Sequence, residues 1–313
     1  MSTKGKSTAV HKTLTISVCI IGIILVISSI MLVRTYMSHA NRWSTKSGTV
    51  KNTTYTSYGI LSQNLTSSLN TPESINQQAN SITNMVDVHS PDIVCLQNAT
   101  SDFVNNVASY FKGNDYDVII KYADNTNQDS TPIFYNSKKY ILSKSGYFWL
   151  SETPTMSSVA WTEAKPYIVT WAILKNKETS QTFGLANISL SKDIDIQSKS
   201  LQCIIDNCNS VFKDVEYTIC GTYNCTTKDE SFSLIDNKYS NLSVISNKLY
   251  NVGPTSTNAT EDQSDDYVYD YFFGTKNVKC DRYAVLKDSI TDTNGLTHYS
   301  VMSNIYFETK NDK

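Results

Sequence analysis

Apolar runs and amphipathic segments alternate along most of the chain, and this alternation predicts an α/β fold. Residues 58–65 (YGILSQNL) predict a first strand. A helix is predicted from about Thr71, because Pro72 suits the first helical position and apolar residues then recur at helical spacing. Pro91 ends that segment, and residues 92–96 (DIVCL), which are apolar after Asp92, predict a buried strand. The apolar face of the helix comprises Ile75, Ala79, Ile82, Met85 and Val86.

The same alternation continues to the end of the chain. Helices are predicted over 102–111 and 194–206, on either side of several strand-like runs. The predicted strands lie at 116–120, 131–135, 147–150, 167–174, 183–190, 217–220, 267–273, 278–285 and 298–307. Helices interspersed with hairpin-like strand pairs predict two mixed sheets with helices outside.

An uncharged apolar segment over residues 13–33 precedes this pattern. Its length matches the roughly 20 residues that a helix needs to cross a bilayer, so we expect a transmembrane anchor. The alternative is a cleaved signal peptide, with a small-residue site at Ser38-His39-Ala40. The basic tail, residues 1–12, favours a cytoplasmic N-terminus. We therefore expect a single-pass membrane protein whose globular part is extracellular.

The anchor divides the chain into segments of different composition. Residues 34–55 are polar and rich in Ser, Thr and Asn, which predicts a linker. The globular domain is predicted over 56–308, followed by a short tail at 309–313.

Charge and cysteine content argue against some classes of function. With 27 Lys+Arg and 29 Asp+Glu the formal net charge is −2, so we expect no nucleic-acid partner. The 7 cysteines contain no CxxC pair, which argues against a zinc site. Because Cys95 and Cys220 lie in strand-like runs, we expect mostly buried free thiols.

Eight short motifs follow one another in a characteristic order. The five longer ones are PDIVCLQN (91–98), PIFYNSKKY (132–140), GYFWLSETP (146–154), AKPYIVTWA (164–172) and LANISL (185–190). The three shorter ones are ICGTYN (219–224), YDYFFGT (269–275) and GLTHYSV (295–301). In this order they resemble the endonuclease/exonuclease/phosphatase family, which has the deoxyribonuclease-I-like fold. The resemblance implies a four-layered α/β sandwich of two mixed β-sheets flanked by helices, here preceded by one transmembrane helix.

The family resemblance also implies a chemistry. Proteins of this family cleave phosphate esters with a divalent metal, usually Mg²⁺, held by carboxylates, and with an Asp–His pair that manages protons. Several polar residues of the family motifs are retained in this chain: Asn64, Asn187, Asn224, Asp270 and His298. The resemblance makes Asp270 and His298 a catalytic pair, here vestigial.

Other family positions have lost their charged or titratable groups. Asn98 stands at the position of the metal-binding Glu, and Ser189 at that of a His. Thr222 and Thr297 each stand at the position of an Asp, and Tyr167 at that of a phosphate-facing Arg. Neutral amide and hydroxyl groups cannot offset the dehydration of Mg²⁺. We therefore expect no metal and no cofactor, and Mg²⁺ or Mn²⁺ only if the protein is an active, divergent hydrolase.

The retained residues allow a structural interpretation as well as a functional one. Asp270 and His298 are expected either to serve chemistry or to join two strand ends as a buried pair. Asn64, Asn187, Asn224 and Tyr167 are candidates for binding a ligand, and the asparagines are equally candidates for scaffolding. Tyr167, Tyr223 and Tyr271 predict either a ligand-facing aromatic surface or core packing.

Three functions remain open from the sequence. The first is a membrane-anchored pseudoenzyme that binds or scaffolds an unidentified protein or small-molecule ligand. The second is a divergent metal-dependent phosphodiesterase or phosphatase, with metal ligands drawn from an acidic run that otherwise predicts a solvated loop. That run comprises Glu261, Asp262, Asp265 and Asp266. The third is a structural surface protein.

Overall fold

The computed structural model describes residues 18–32, 47–50, 53–159, 161, 165–258, 267–290 and 295–310. Residues 18–32 form helix α1, whose side chains are exposed. Residues 13–17 and 33 of the predicted anchor lie outside the described part. Within the described residues, no helix has both the length and the apolar character needed to cross a membrane.

The described strands and helices, named in chain order, are as follows. The strands are β1 (Gly48–Val50), β2 (Thr53–Asn64), β3 (Ile93–Gln97), β4 (Tyr116–Ile119), β5 (Ile133–Asn136), β6 (Tyr140–Trp149), β7 (Ile168–Asn176), β8 (Thr182–Ser189), β9 (Tyr217–Thr222), β10 (Ser240–Asn241), β11 (Lys248–Tyr250), β12 (Asp270–Gly274), β13 (Lys279–Leu286) and β14 (Ser300–Lys310). After α1 the helices are α2 (Pro72–His89), α3 (Ser101–Gly113), α4 (Ile194–Phe212), α5 (Phe232–Asp236) and α6 (Leu242–Ile245), with a 3₁₀ turn at Lys287–Ser289.

The strands form two mixed sheets. In the first, the order is β11-β13-β14-β2-β3-β5-β4, with β1 paired to β2. In the second, the order is β10-β12-β9-β8-β7-β6. The pairs β2/β3, β11/β13 and β8/β9 are parallel, and the other pairs are antiparallel. The predicted α/β fold with two mixed sheets is confirmed.

Three apolar cores separate four layers. Helices α2 and α3 pack on the outer face of the first sheet, around Leu61 and Phe134. Helices α4 and α5 cover the outer face of the second sheet, around Ile219. The third core lies between the sheets and contains Ile60 and Leu185. The two faces of each strand therefore face different cores, as the period-2 geometry of a strand requires.

The local sequence of helix α2 accounts for where the helix begins and ends. The Thr71 hydroxyl caps the N-terminus by accepting a hydrogen bond from Ser74 N at 3.2 Å, and Pro72 follows at the first position. The helix ends at Ser90, whose φ of 48° is left-handed, and Pro91 prevents its continuation.

The predicted linker over 34–55 is corrected by the structure. Residues 48–50 form β1 and residues 53–55 begin β2, while residues 34–46, 51 and 52 lie outside the described part. Polar composition predicted a linker, but threonine is β-branched and favours strands. The hydroxyls of Thr49 and Thr54, paired across β1 and β2, lie 3.0 Å apart.

Other elements are longer or shorter than the pattern predicted. Strand β6 begins at Tyr140 rather than at 147, because an exposed edge strand carries little apolar signal. Helix α4 continues past 206 to Phe212, burying Cys208 and Phe212. The short elements β10, β11, α5 and α6 had no recognisable pattern. The expectation of mostly buried free thiols is confirmed, since every cysteine is free and five of them are buried.

Candidate functional site

One rim of the sandwich collects most of the residues that the motifs singled out. Parallel strands β2 and β3 end there at Asn64 and Gln97, and parallel strands β8 and β9 end there at Ser189 and Thr222. Strand β12, antiparallel to β9, begins at the same rim with Asp270. The fold therefore gathers these strand ends from both sheets at one site.

Asp270 and His298 form a hydrogen-bonded pair at this rim. His298 Nδ1 lies 2.7 Å from Asp270 Oδ2, and the Thr222 hydroxyl donates to Asp270 Oδ1 at 2.5 Å. The two side chains are almost fully buried, with His298 7% and Asp270 3% exposed. Thr255 Oγ1 accepts hydrogen bonds from the backbone N–H groups of Tyr269 and Asp270. Both carboxylate oxygens are thus engaged, and the pair ties β12 to the segment that leads into β14.

The electrostatic environment raises the pKa of His298 above its ordinary value. Burial lowers this pKa, but the charge and hydrogen bond of Asp270 raise it by more, and Lys192 lowers it slightly. A raised folded-state pKa means that the pair stabilises the fold below the unfolded pKa of about 6.5. That stabilisation is lost as the pH rises through the folded-state pKa of His298.

His298→Gln should therefore destabilise the domain more at pH 6 than at pH 9. The free energy of unfolding, measured by denaturant titration at both pH values, tests this expectation. The matched variant Asp270→Asn removes the carboxylate that raises the pKa, so His298→Gln in that background should show no such trend. A cost of His298→Gln that is the same at both pH values would contradict the assignment.

Asn98 occupies the position that the family resemblance gives to the metal-binding Glu. Its backbone is left-handed, with φ of 55°, a conformation that asparagine tolerates. Its Nδ2 donates to Asn64 Oδ1 at 2.6 Å, and the Ser189 hydroxyl approaches its Oδ1 at 3.4 Å. Three residues aligned with family site positions therefore bond to one another.

Asn187 lies inside the molecule and faces no solvent. Its Nδ2 donates to the carbonyls of Leu96 and Pro132 at 2.8 and 2.9 Å, and its Oδ1 accepts from Gln97 Nε2 at 2.7 Å. Asn187 is fully buried, so its amide joins β8 to the first sheet. Of the two interpretations of Asn187, these contacts favour scaffolding, because its amide bonds to groups within the core.

Asn187→Ala should cost about 3 kcal/mol of unfolding free energy, because it leaves two carbonyls and one amide without this partner. Asn224 provides a control at the same rim. It is half-buried, and its Nδ2 makes one hydrogen bond, to Leu190 O at 2.6 Å. Asn224→Ala should cost about 1 kcal/mol. Equal costs in denaturant titrations of the two variants would contradict the scaffold role of Asn187.

Of the two interpretations of the three tyrosines, core packing holds for Tyr223 and Tyr271. Tyr223 and Tyr271 are buried and pack with Phe273 in the core beneath α4 and α5. Tyr271 on β12 faces the helical layer, and Tyr223, which directly follows β9, packs in the same core. Tyr167 is half-buried, with Lys165 Nζ 4.7 Å from its ring centroid. Thr297 is exposed, and its carbonyl accepts a hydrogen bond from Thr257 N.

Sequence reasoning missed two glutamines that hold the rim together. Gln63 Nε2 donates to the carbonyls of Asn64 and His298 at 2.6 and 2.8 Å, and its Oε1 accepts from the Ser300 hydroxyl. Gln97 Nε2 donates to Asn187, as described above, and to Ser62 Oγ at 3.1 Å. The sequence feature that could have indicated these two residues is a glutamine near the end of a predicted strand. Thr255, which supports Asp270, carried no comparable signal.

The residues at this rim do not fit a Mg²⁺ site. Asn64, Asn98, Ser189 and Thr222 are neutral donors or acceptors, and Mg²⁺ requires anionic oxygen ligands. Asp270 is already bonded by Thr222 and His298. Among the described residues, no group of three His, Cys, Asp or Glu side chains is arranged to hold a metal. The acidic run with Glu261, Asp262, Asp265 and Asp266 lies outside the described part.

Comparisons with known proteins identify the fold. No family model matches the sequence, and no curated protein sequence matches it. An endonuclease/exonuclease/phosphatase family protein from Bacteroides thetaiotaomicron superposes with a TM-score of 0.70 and 20% identity, over 81% of this chain and 96% of that one. A mannosyl-6-phosphatase from the same organism gives 0.70 and 20%, over 79% and 99%. A 2′,3′-cyclic phosphatase in complex with adenosine-2′,3′-vanadate gives 0.66 and 14%, over 84% and 99%.

These identities are low, whereas the superpositions cover almost the whole length of each compared protein. The likeness therefore concerns the arrangement of the backbone, and it agrees with the order of the motifs along the sequence. The chain has the fold of the endonuclease/exonuclease/phosphatase proteins.

Proposed function

We propose that this chain is a catalytically inactive protein of the endonuclease/exonuclease/phosphatase fold that acts as a binding or scaffold module. The observation that carries the proposal is the hydrogen bond of 2.6 Å from Asn98 Nδ2 to Asn64 Oδ1. It links two positions that the family resemblance assigns to the metal site, and it does so without a charge.

The chemistry of the remaining donors supports the same proposal. Phosphoryl transfer depends on positive charge, from a bound metal or an Arg, that stabilises the transferring group. At this rim neutral residues stand where the family resemblance implies metal-binding carboxylates, and Tyr167 stands where it implies an Arg. His298 alone would have to manage protons. Removing groups that act as a unit is strongly non-additive, so several such losses amount to nearly complete loss of activity.

A binding role would use the polar groups at the rim that a ligand can contact. His298 Nδ1 is bonded to Asp270, and Nε2 has no protein partner among the described residues. Lys192 is exposed and close enough to act on the charge of His298. The ligand or protein partner that these groups favour carries hydrogen-bond acceptors.

The second candidate is a divergent metal-dependent phosphodiesterase or phosphatase. The retained Asp270–His298 geometry at 2.7 Å favours it, because such a pair is competent to transfer protons. Two of the compared proteins are phosphatases, which fits the same class of substrate.

The membrane location is part of the proposal and rests on residues 13–33. Their uncharged, apolar character supports a single-pass anchor with a cytoplasmic N-terminus and an extracellular domain. Deleting residues 13–33 should move the protein from the membrane fraction to the soluble fraction of expressing cells. An unchanged distribution would contradict the anchor.

A hydrolysis assay separates the two candidates. The full-length protein is incubated with bis(4-nitrophenyl) phosphate and with 4-nitrophenyl phosphate, in millimolar Mg²⁺ or Mn²⁺, beside the His298→Ala variant. The pseudoenzyme proposal expects the same background rate from both proteins. Metal-dependent turnover that disappears in His298→Ala would contradict it and support the hydrolase.

A further inference from the structure

Strand β6 forms one edge of the second sheet. It pairs with β7 on one side, and no described strand pairs with it on the other. The backbone N–H of Leu150 donates toward the β7 side, whereas that of Trp149 donates to Pro154 O, away from β7. Successive residues of a strand alternate in direction, so Ser145 and Tyr147 also turn their N–H and C=O groups away from β7.

The outward backbone groups of this edge have no partner in the described part of the chain. No described hydrogen bond reaches the backbone of Ser145 or Tyr147 from outside the β6/β7 pair, and both side chains are exposed. The register shift before Lys144 ends this stretch on one side, and the bonded Trp149 ends it on the other. Residues 145–147 thus offer the backbone hydrogen bonds through which an extended peptide adds to a sheet.

Two exposed lysines flank this stretch, one on each face of β6. Lys121 follows β4 by two residues, and its Nζ lies 5.4 Å from the ring centroid of Tyr147. Lys144 Nζ lies 5.7 Å from the ring centroid of Trp171, which packs in the core beneath α4. Phe148 packs in that same core, so its neighbour Tyr147 points to the opposite face of the sheet.

The charges of these two lysines are not compensated within the described part of the chain. Lys121 and Lys144 each lie over an aromatic ring, and neither forms an ion pair with a described residue. Other lysines of the same half of the chain each hold an aspartate, in the pairs Lys138–Asp115, Lys139–Asp92 and Lys165–Asp129. A strand beside residues 145–147 would direct its side chains alternately to the two faces that carry Lys121 and Lys144.

We propose that the free edge of β6 binds an acidic peptide in an extended conformation, which adds to the second sheet as a further strand. Lysines at a sheet edge oppose pairing between two copies of the same edge, because like charges would meet, and they favour an acidic partner strand. The edge is separate from the rim pair, since β12, which begins with Asp270, lies four strands away in the sheet. The proposal therefore holds whether or not that pair is catalytic.

The probe for this edge is a fluorescein-labelled peptide of sequence Val-Glu-Glu-Val-Glu-Glu-Val, whose adjacent glutamates place a carboxylate on each face. Titration of the full-length protein, followed by fluorescence anisotropy, should show saturable binding. The same peptide with glutamine in place of glutamate should bind about tenfold more weakly. The acidic peptide with every backbone nitrogen methylated should not bind, because it cannot donate hydrogen bonds to the edge.

Variants of the protein test the edge from the other side. Lys144→Glu should weaken binding of the acidic peptide by about fivefold or more. Lys276→Glu makes the same charge change in the exposed turn between β12 and β13, and it should leave binding unchanged. Ser145→Pro removes one outward N–H, a change that an edge strand allows, and should weaken binding about tenfold, whereas Ser145→Ala should not.

Circular dichroism verifies that each variant keeps the native secondary structure, and the methylated peptide tests the same backbone bonds without altering the protein. Three results would each overturn the proposal. These are an absence of saturable binding, equal binding of the acidic peptide and its methylated form, and an equal effect of Lys144→Glu and Lys276→Glu.

Discussion

Gly221→Ala is expected to destabilise the domain by about 3 kcal/mol or more, one of the largest effects of a single substitution in this chain. Gly221 lies in β9 with φ of 134°, a conformation that residues with a side chain rarely adopt. A Cβ atom there would lie 2.0 Å from the carbonyl oxygen of Ile188, its partner in the parallel strand β8. Neither backbone can move away easily, because Gly221 stands between the buried residues Cys220 and Thr222.

Denaturant titration of wild type and variant measures this effect. Gly113→Ala is the matched control, because Gly113 ends α3 and a Cβ atom there meets nothing within 4 Å. Its expected change is within about 1 kcal/mol. Equal stability of the Gly221→Ala and Gly113→Ala variants would contradict the close approach of β8 and β9 at this point.

Thr222→Asp restores a carboxylate that the family resemblance expects, and we predict that it destabilises the domain by about 3–5 kcal/mol at neutral pH. The Thr222 hydroxyl donates to Asp270 Oδ1 at 2.5 Å, and both side chains are buried. The substitution replaces a donor with a second negative charge at this distance. The cost should fall as the pH is lowered, because protonation of one carboxyl turns repulsion into a hydrogen bond.

The neutral variant Thr222→Asn separates charge from shape. It should cost about 1–2 kcal/mol, with little dependence on pH between 5 and 8. Equal costs for the two substitutions would contradict the electrostatic explanation. Recovery of the Thr222→Asp variant by millimolar Mg²⁺, without recovery of Thr222→Asn, would reveal a latent metal site.

Much of the fold was accessible from the sequence, because strands such as β3 and β9 combine continuous apolar runs with clear boundaries. The parts that were missed lacked that signal. Strand β1 is composed of residues that also suit a linker, and it pairs with β2. The first half of β6 lies at a sheet edge, where exposed polar side chains do not follow a strand pattern.

The sequence predicted the candidate site less completely than the fold. The pairing of Asp270 with His298 was implied by the family resemblance, and the structure brings the two side chains together. The inward orientation of Asn187 and Tyr271 did not follow from it, because the face to which a strand residue points depends on register with neighbouring strands. A retained motif residue is therefore not necessarily a residue that a ligand can reach.

The contacts at the rim suggest how the fold accommodates neutral residues at positions where the family resemblance implies charged ones. Asn98, Asn64 and Ser189 bond to one another, while Thr222 and His298 bond to Asp270. Asn98 and Ser189 thus bond within the rim and Thr222 bonds to Asp270, so no buried charge is left uncompensated at these three positions. In this account the neutral residues at the rim form hydrogen bonds of their own in place of a metal site.

Calorimetric titration of Mg²⁺ and Mn²⁺ into the full-length protein tests this central claim most directly. The account predicts no heat beyond that of dilution at millimolar metal, with the Asp270→Asn variant giving the same trace as wild type. Stoichiometric binding to wild type that is lost in Asp270→Asn would contradict the account and show that the rim still holds a metal.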